Sequence, residues 1–124
     1  MSREPRDQAL ERLYQADLLE RAPELRGLSP KAKRLAGGVA AQQADLDETL
    51  EDASDTWRLH RMPAVDRAIL RMGLYELRNS PEVPTAVVVS EAVRLAKTYS
   101  TERSGAFVNG VLGSLARRER SATS

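Results

Sequence analysis

The chain has 124 residues, of which 41% are hydrophobic and 30% are charged, and its formal net charge is +1. This length allows one domain that buries about two-thirds of the surface of its unfolded chain. The absence of cysteine excludes disulfides and thiolate catalysis, and no apolar run reaches the roughly 18 residues that a membrane span requires. Because the N-terminus, MSREPRDQ, also lacks the apolar segment of a signal peptide, we expect a cytoplasmic protein outside the membrane.

The first half of the chain predicts two helices. Apolar residues at helical spacing place the first helix at about residues 4–20. Ser29-Pro30 forms a favourable N-cap and first-turn pair, and the second helix then runs to about Ala53. Its Gly37-Gly38 pair lowers helix propensity by about 1 kcal/mol per glycine. We therefore expect another part of the chain to pack closely against these glycines.

The second half predicts three more helices, which begin near Pro63, Pro84 and Glu102 and end near Asn79, Ser100 and Arg118. The valine-rich start of the middle one continues at helical spacing, which favours a helix over a strand. Residues 119–124 are expected to form a frayed tail. Residues 54–62 form a linker, and three of its side chains are expected to close one end of the core: Trp57, Leu59 and Met62.

Charge is unevenly distributed along the chain. Between Arg34 and Arg58 there are six acids and no base, whereas residues 58–78 carry five arginines against two acids. Arg67, Arg71 and Arg78 fall on one helix face, in a line that could follow a phosphate backbone. The alternative is codon composition, since a GC-rich genome favours arginine, and composition alone does not separate the two explanations.

The last predicted helix contains an irregularity. Asn109-Gly110 lies within its periodic pattern, although Asn-Gly normally marks a turn. Phe107 is the only phenylalanine and follows Arg103 by one helical turn. An aromatic ring beside guanidinium groups is an arrangement that stacks unpaired bases. Packing of Phe107 in the core is the other interpretation, and the sequence leaves both open.

No constellation of residues predicts catalysis, a metal site or a cofactor. The single histidine, His60, lies in the linker without a second ligand at metal-binding spacing, which favours a surface histidine. Glu76 and Glu91 lie on mostly apolar helices, where they could act as acid and base. Structural pairing across a helix interface is the interpretation we favour.

Four motifs in the second half, taken in their order and spacing, resemble the NusB family of bacterial transcription antitermination factors. They are AILRMGLYEL at residues 68–77, VP at 83–84, SEAV with LAK at 90–97, and FVNGVL at 107–112. The resemblance is strong over residues 57–115 and weaker before them. It implies an all-α domain over residues 1–118, built as two packed three-helix bundles from five to six helices.

The resemblance also implies a function without catalysis. NusB-like proteins bind the single-stranded boxA RNA of ribosomal RNA leaders together with ribosomal protein S10 (NusE), within the antitermination complex of RNA polymerase. Position by position, it assigns RNA contacts to Arg3, Arg6, Arg71, Phe107 and Asn109. Tyr14 and Asp66 match positions that face S10 in the family.

The chain departs from the family pattern in two places. Acidic residues interrupt the basic first helix, and Arg103 stands where many relatives have an aspartate. Arg103 adds a positive charge at the expected RNA surface, and we include it among the RNA-binding candidates. Self-association through the first helix, which would form a homodimer, would hide Arg3 and Arg6. Two other function classes stay open: a small helical enzyme of the chorismate-mutase type, which needs a buried Arg-Glu pocket, and an adaptor that binds only protein.

Overall fold

The computed structural model describes residues 4–53 and 59–121, and all regular structure within them is helical. The helices are α1 (Pro5–Leu18), α2 (Pro30–Ala53), α3 (Ala64–Asn79), α4 (Thr85–Tyr99) and α5 (Glu102–Ser121), with a 3-10 turn at Leu59–Arg61. The predicted all-α fold is thereby confirmed. None of the described helices combines the length and the apolar character needed to cross a membrane.

Helix α3 is the centre of the fold. It packs against α1 and α2, which also contact each other, and against α4 and α5, which do the same. The domain therefore consists of two three-helix groups that share α3. This position explains why α3 is apolar on nearly every side: Ile69, Leu70 and Leu74 are completely buried.

Local chemistry sets the helix starts. The Ser29 hydroxyl accepts a hydrogen bond from the Ala32 amide at 3.3 Å, as the predicted N-cap requires. Pro63 and Pro84 occupy the positions just before α3 and α4, where their fixed φ suits helix entry. At the start of α5, the Thr101 hydroxyl accepts a hydrogen bond from the Ser104 amide at 3.0 Å.

Two glycines allow close packing around α3. The ring of Tyr75 lies where a Cβ on Gly38 would stand, so Tyr75 can pack directly on α2. A Cβ on Gly73 would lie 2.6 Å from Leu112 Cδ1, which places α5 tightly against α3. The predicted close approach at the paired glycines of α2 is confirmed at Gly38.

The main difference from the expected elements is at the end of α5. The helix continues past Arg118 to Ser121, because its last turn is tied to the body of the domain. Arg120 donates to the carbonyl oxygens of Ser80 at 3.0 Å and of Val83 at 2.6 Å. Two of the three linker side chains expected to close one end of the core, Leu59 and Met62, are buried in it. The third, Trp57, lies outside the described residues.

Candidate nucleic-acid interface

The start of α5 is held by a chain of hydroxyl groups that ends on a buried carboxylate. The Ser104 hydroxyl donates to Asp66 Oδ2 on α3 at 2.8 Å, and it also lies 3.0 Å from the Thr101 hydroxyl. Asp66 and Ser104 are both buried. This contact fixes the first turn of α5 against the first turn of α3, and it thereby positions the side chains that α5 presents to solvent.

The outer face of α5 carries three of the predicted RNA residues. Arg103 and Asn109 are exposed, as are Ala106 and Gly110 between and beside them. Arg103 forms no ion pair or hydrogen bond with another described residue. Phe107 is half-buried and packs against the core from the edge of this face. Core packing is therefore confirmed for part of the ring, and base stacking by Phe107 stays a prediction. We call Arg103, Ala106, Phe107, Asn109 and Gly110 the α5 face.

Gly110 leaves an open place in the α5 face. A Cβ added at Gly110 would meet no atom within 4 Å, so internal packing does not require glycine there. Glycine costs about 1 kcal/mol relative to alanine in a helix interior. The Asn109-Gly110 pair lies within α5 and does not form a turn. Because Gly110 has no side chain, the helix backbone is exposed at this position.

The arginine line on α3 does not face a ligand. Arg71 is buried and donates to both carboxylate oxygens of Asp47, at 2.7 and 2.9 Å. Arg67 is paired with Asp17, and Arg78 donates to Glu119 at 2.8 Å. The guanidinium of Arg71 is thus paired with Asp47, and its contact with RNA stays a prediction. A neighbouring carboxylate occupies each guanidinium of this line, which therefore links helices to one another.

Arg6 has a similar structural role. Its Nε and Nη2 atoms donate to the two carboxylate oxygens of Glu76, both at 2.8 Å, and Glu91 lies 3.7 Å from its remaining nitrogen. The hydrogen bond to Glu76 raises the pKa of the Arg6 guanidinium above its usual value. Arg6 thus cross-links α1 and α3, and its contact with RNA stays a prediction. Structural pairing of Glu76 and Glu91 is confirmed. The other predicted arginine of this segment, Arg3, lies outside the described residues.

The Arg6–Glu76 pair also bears on the alternative that the protein is a small helical enzyme of the chorismate-mutase type. Arg6 and Glu76 form an Arg-Glu contact of the kind that a dicarboxylate pocket would use, although Arg6 is only partly buried. Their donors and acceptors are matched to each other, however, which leaves no free guanidinium fork for a substrate. Among the described residues, no group of three or more potential metal ligands is placed to hold an ion. His60 is exposed, as expected.

The two residues predicted to contact a protein partner, Tyr14 and Asp66, differ in their exposure to solvent. Asp66 is only 4% exposed, and its contact with Ser104 holds it inside the domain; its contact with a protein partner stays a prediction. Tyr14 is half-buried and lines a surface groove of about 560 Å³. Val65 and Tyr99 form another side of that groove. Tyr14 is the more accessible of the two residues predicted to contact a protein partner.

A second network joins α1 to α4 beside this groove. Buried Asp7 accepts hydrogen bonds from Arg94 at 2.7 Å and from the Tyr99 hydroxyl at 2.7 Å. The bond to Asp7 raises the pKa of the Tyr99 phenol above its usual value, with a smaller contribution from burial. The same carboxylate is the main cause of the raised pKa of Arg94. Tyr99 is nevertheless 44% exposed, so its ring remains accessible from the groove.

The sequence pattern did not predict the acids that pair with the three arginines of α3. These acids are Asp17, Asp47 and Glu119. Asp47 lies in the acidic half of α2, and it pairs with the arginine-rich α3. The opposite charges of these two consecutive segments were the available signal. Opposite charges on two neighbouring helices indicate ion pairs between those helices as readily as a basic helix indicates an external polyanion.

Comparisons with known proteins agree with this architecture. Residues 3–117 match the model of the NusB family. The chain belongs to the NusB family. A transcription antitermination protein NusB from Beutenbergia cavernae is 44% identical over 135 residues, covering 93% of this chain and 88% of that protein. Another from Sorangium cellulosum is 58% identical over 79 residues, which cover 64% of this chain and 56% of that protein.

Solved structures extend the similarity to three dimensions. The NusB structure from T. maritima superposes with a TM-score of 0.82 at 30% identity, covering 93% of this chain and 89% of that one. A protein chain in the crystal structure of a plectonemic RNA supercoil gives a TM-score of 0.81 at 28% identity. That match covers 97% of this chain and 96% of the other. The NusB-like arrangement therefore extends over nearly the whole chain.

Proposed function

We propose that this protein is a transcription antitermination factor of the cytoplasm that binds boxA-type single-stranded RNA without performing catalysis. The observation that carries the proposal is the α5 face. It combines an unneutralised guanidinium at Arg103, the edge of an aromatic ring at Phe107 and open backbone at Gly110. Cationic groups suit phosphates, and aromatic rings stack unpaired bases.

The comparisons support this function. The relatives from Beutenbergia cavernae and Sorangium cellulosum are transcription antitermination proteins, and one structural neighbour comes from a crystal that contains RNA. With Arg6 and Arg71 paired inside the domain, Arg103 and Asn109 are the exposed groups among the described residues of the predicted RNA set. We add Phe107 to the proposed RNA contacts, because part of its ring is exposed at the edge of the same face.

We further propose that ribosomal protein S10 binds at the groove that contains Tyr14, so that RNA and protein contacts lie on different parts of the surface. Tyrosine combines apolar area with a polar hydroxyl, as contact residues at interfaces often do. The same groove could instead join two copies of the chain as a homodimer. S10 binding and self-association would then compete.

The function is tested by binding of a boxA-like RNA, measured with and without S10, against a scrambled RNA of equal length. We expect weak binding alone, tighter binding with S10, and a preference for the boxA-like sequence. Equal affinity for both RNAs in the presence of S10 would contradict the proposal. Tyr14→Ala should reduce only the gain that S10 provides, with binding by the protein alone unchanged.

The role of Phe107 is tested separately with two variants. Phe107→Ala should weaken RNA binding by roughly 1–3 kcal/mol if the ring stacks a base. Phe107→Leu retains apolar packing but removes the aromatic face, so it should weaken binding with little change in melting temperature. Normal RNA affinity in the leucine variant would assign Phe107 to the core alone.

A further inference from the structure

Five exposed cations lie on the segment that joins α1 to α2 and on the first turns of α2. We call them the α2 basic surface: Arg21, Arg26, Lys31, Lys33 and Arg34. None of these side chains forms an ion pair or hydrogen bond with another described residue. They therefore differ from the ion-paired arginines of α3, although Arg21 and Arg26 line a groove with Glu24 and contribute to its lowered pKa.

The connecting segment lies along α2, so Arg21 and Arg26 stand beside that helix. Arg21 and Ala40 line the same groove. Further along, Leu25 Cδ1 lies 3.5 Å from the Cβ position of Gly37. Lys33 and Arg34 precede Gly37 by about one turn, a rise of about 5 Å. Arg26 follows Leu25 directly, so its backbone lies beside this stretch of α2.

The connecting segment is ordered by its own hydrogen bonds. Arg12 on α1 donates to the carbonyl oxygens of Glu24 at 2.7 Å and of Arg26 at 2.9 Å. The Glu24 carboxylate accepts a hydrogen bond from the Arg26 amide at 3.0 Å, and this bond is the main cause of the lowered pKa of Glu24. These hydrogen bonds therefore fix the backbone conformation of the segment that carries Arg21 and Arg26.

The charges on α2 oppose its helix dipole. Its first turn contains no acid, and its last turn contains no base. Lys31, Lys33 and Arg34 stand near the positive end, while acids such as Asp45 and Asp52 occupy the other half. A cation near a helix N-terminus forgoes about 0.3–1 kcal/mol of favourable dipole energy. Since no described contact offsets this cost, the arrangement is unexplained by folding and is consistent with selection for an external anion.

We propose that the α2 basic surface binds the phosphate backbone of RNA outside the element that contacts the α5 face. This inference rests on the proposed RNA-binding function and adds a second, sequence-independent contact to it. Leu18 and Leu19 are exposed just before Arg21, but no large hydrophobic side chain is exposed between residues 21 and 34, which favours an RNA partner over an acidic protein for these cations. Protein interfaces concentrate their binding energy in such side chains, whereas phosphate contacts need only cations.

The test compares two variants that each remove two exposed arginines. Arg26→Gln/Arg34→Gln alters the α2 basic surface, and Arg117→Gln/Arg118→Gln makes the same charge change near the end of α5. Binding is measured over a range of salt concentrations with two RNAs. One is a boxA-like RNA of about 12 nucleotides, within the site size of one binding domain, and the other is the same RNA extended by unstructured flanks.

The parent protein should bind the extended RNA more tightly than the short one. Arg26→Gln/Arg34→Gln should lose this gain, and its salt slope with extended RNA should fall by about 1.4, since each phosphate contact to a single strand contributes about 0.7. The control double variant should retain both the gain and the slope. Parent-like length dependence in Arg26→Gln/Arg34→Gln, or an equal loss in the control, would overturn this inference.

The same assay separates the two proposals. Failure of the parent protein to bind the short RNA, with S10 present, would contradict the proposed function itself. Normal binding of the short RNA together with no effect of Arg26→Gln/Arg34→Gln on the extended RNA would overturn only the second contact.

Discussion

Replacing Gly110 by alanine should make the protein more stable and a poorer RNA binder. The added Cβ meets no atom within 4 Å, so it introduces no clash. Alanine is favoured over glycine in a helix interior by about 1 kcal/mol. For a domain of this size, that gain corresponds to a rise in melting temperature of about 4 °C.

The RNA effect should have the opposite sign. The new methyl group would stand on the α5 face, where an RNA strand crossing between Arg103 and Asn109 would approach the backbone. Loss of that close approach should weaken binding about tenfold, which corresponds to about 1.4 kcal/mol. Thermal melting by circular dichroism and an RNA titration measure the two effects independently.

A change elsewhere serves as the control for the packing argument. Gly73→Ala should lower the melting temperature, because its Cβ would meet Leu112 at 2.6 Å. For Gly110→Ala, unchanged RNA affinity would show that RNA does not cross this part of α5. A lower melting temperature in that variant would refute the statement that the space around Gly110 is open.

Three further predictions concern the contacts that hold the helices together. Arg71→Gln should lower the free energy of unfolding by about 3 kcal/mol in urea titrations, since Asp47 loses its partner; an unchanged midpoint would refute the cross-link. The Tyr99 phenol should titrate above its usual value of 10 because it donates to Asp7. Its contribution to stability should be complete below pH 10 and lost as pH rises through the raised pKa, so Tyr99→Phe and the parent should converge there. Arg120→Ala should cost about 2 kcal/mol and speed amide exchange at the end of α3, because several carbonyl oxygens lose a donor; parent-like exchange would contradict this.

Helix positions were largely predictable from the sequence because their signals are local. Pro63 and Pro84 mark the starts of α3 and α4 directly, and Ser29 caps α2 as its residue type suggests. The end of α5 was not predictable in this way. Its last turn is held by carbonyl oxygens of residues about forty positions earlier in the chain, such as Ser80, and no local pattern reports such a contact.

The RNA surface was only partly predictable, because helical spacing does not reveal what lies opposite a charged side chain. Arg71 has the spacing of a surface arginine, yet Asp47 of a neighbouring helix covers it. Asp66 resembles an ordinary first-turn acid, and only the approach of Ser104 shows that it is buried. In contrast, Arg103 stood out because many relatives have an aspartate there, and Gly110 stood out because Asn-Gly is unusual within a helix. Both residues are open to solvent.

The most direct test of the α5 face is the salt dependence of boxA-like RNA binding by Arg103→Gln, with Arg61→Gln as the matched control. Both arginines are exposed, and neither is paired with a described residue. If Arg103 contacts a phosphate, its loss should reduce the salt slope by about 0.7 and weaken binding, while Arg61→Gln should behave like the parent. Equal slopes for the parent and Arg103→Gln would contradict the assignment of RNA binding to this face.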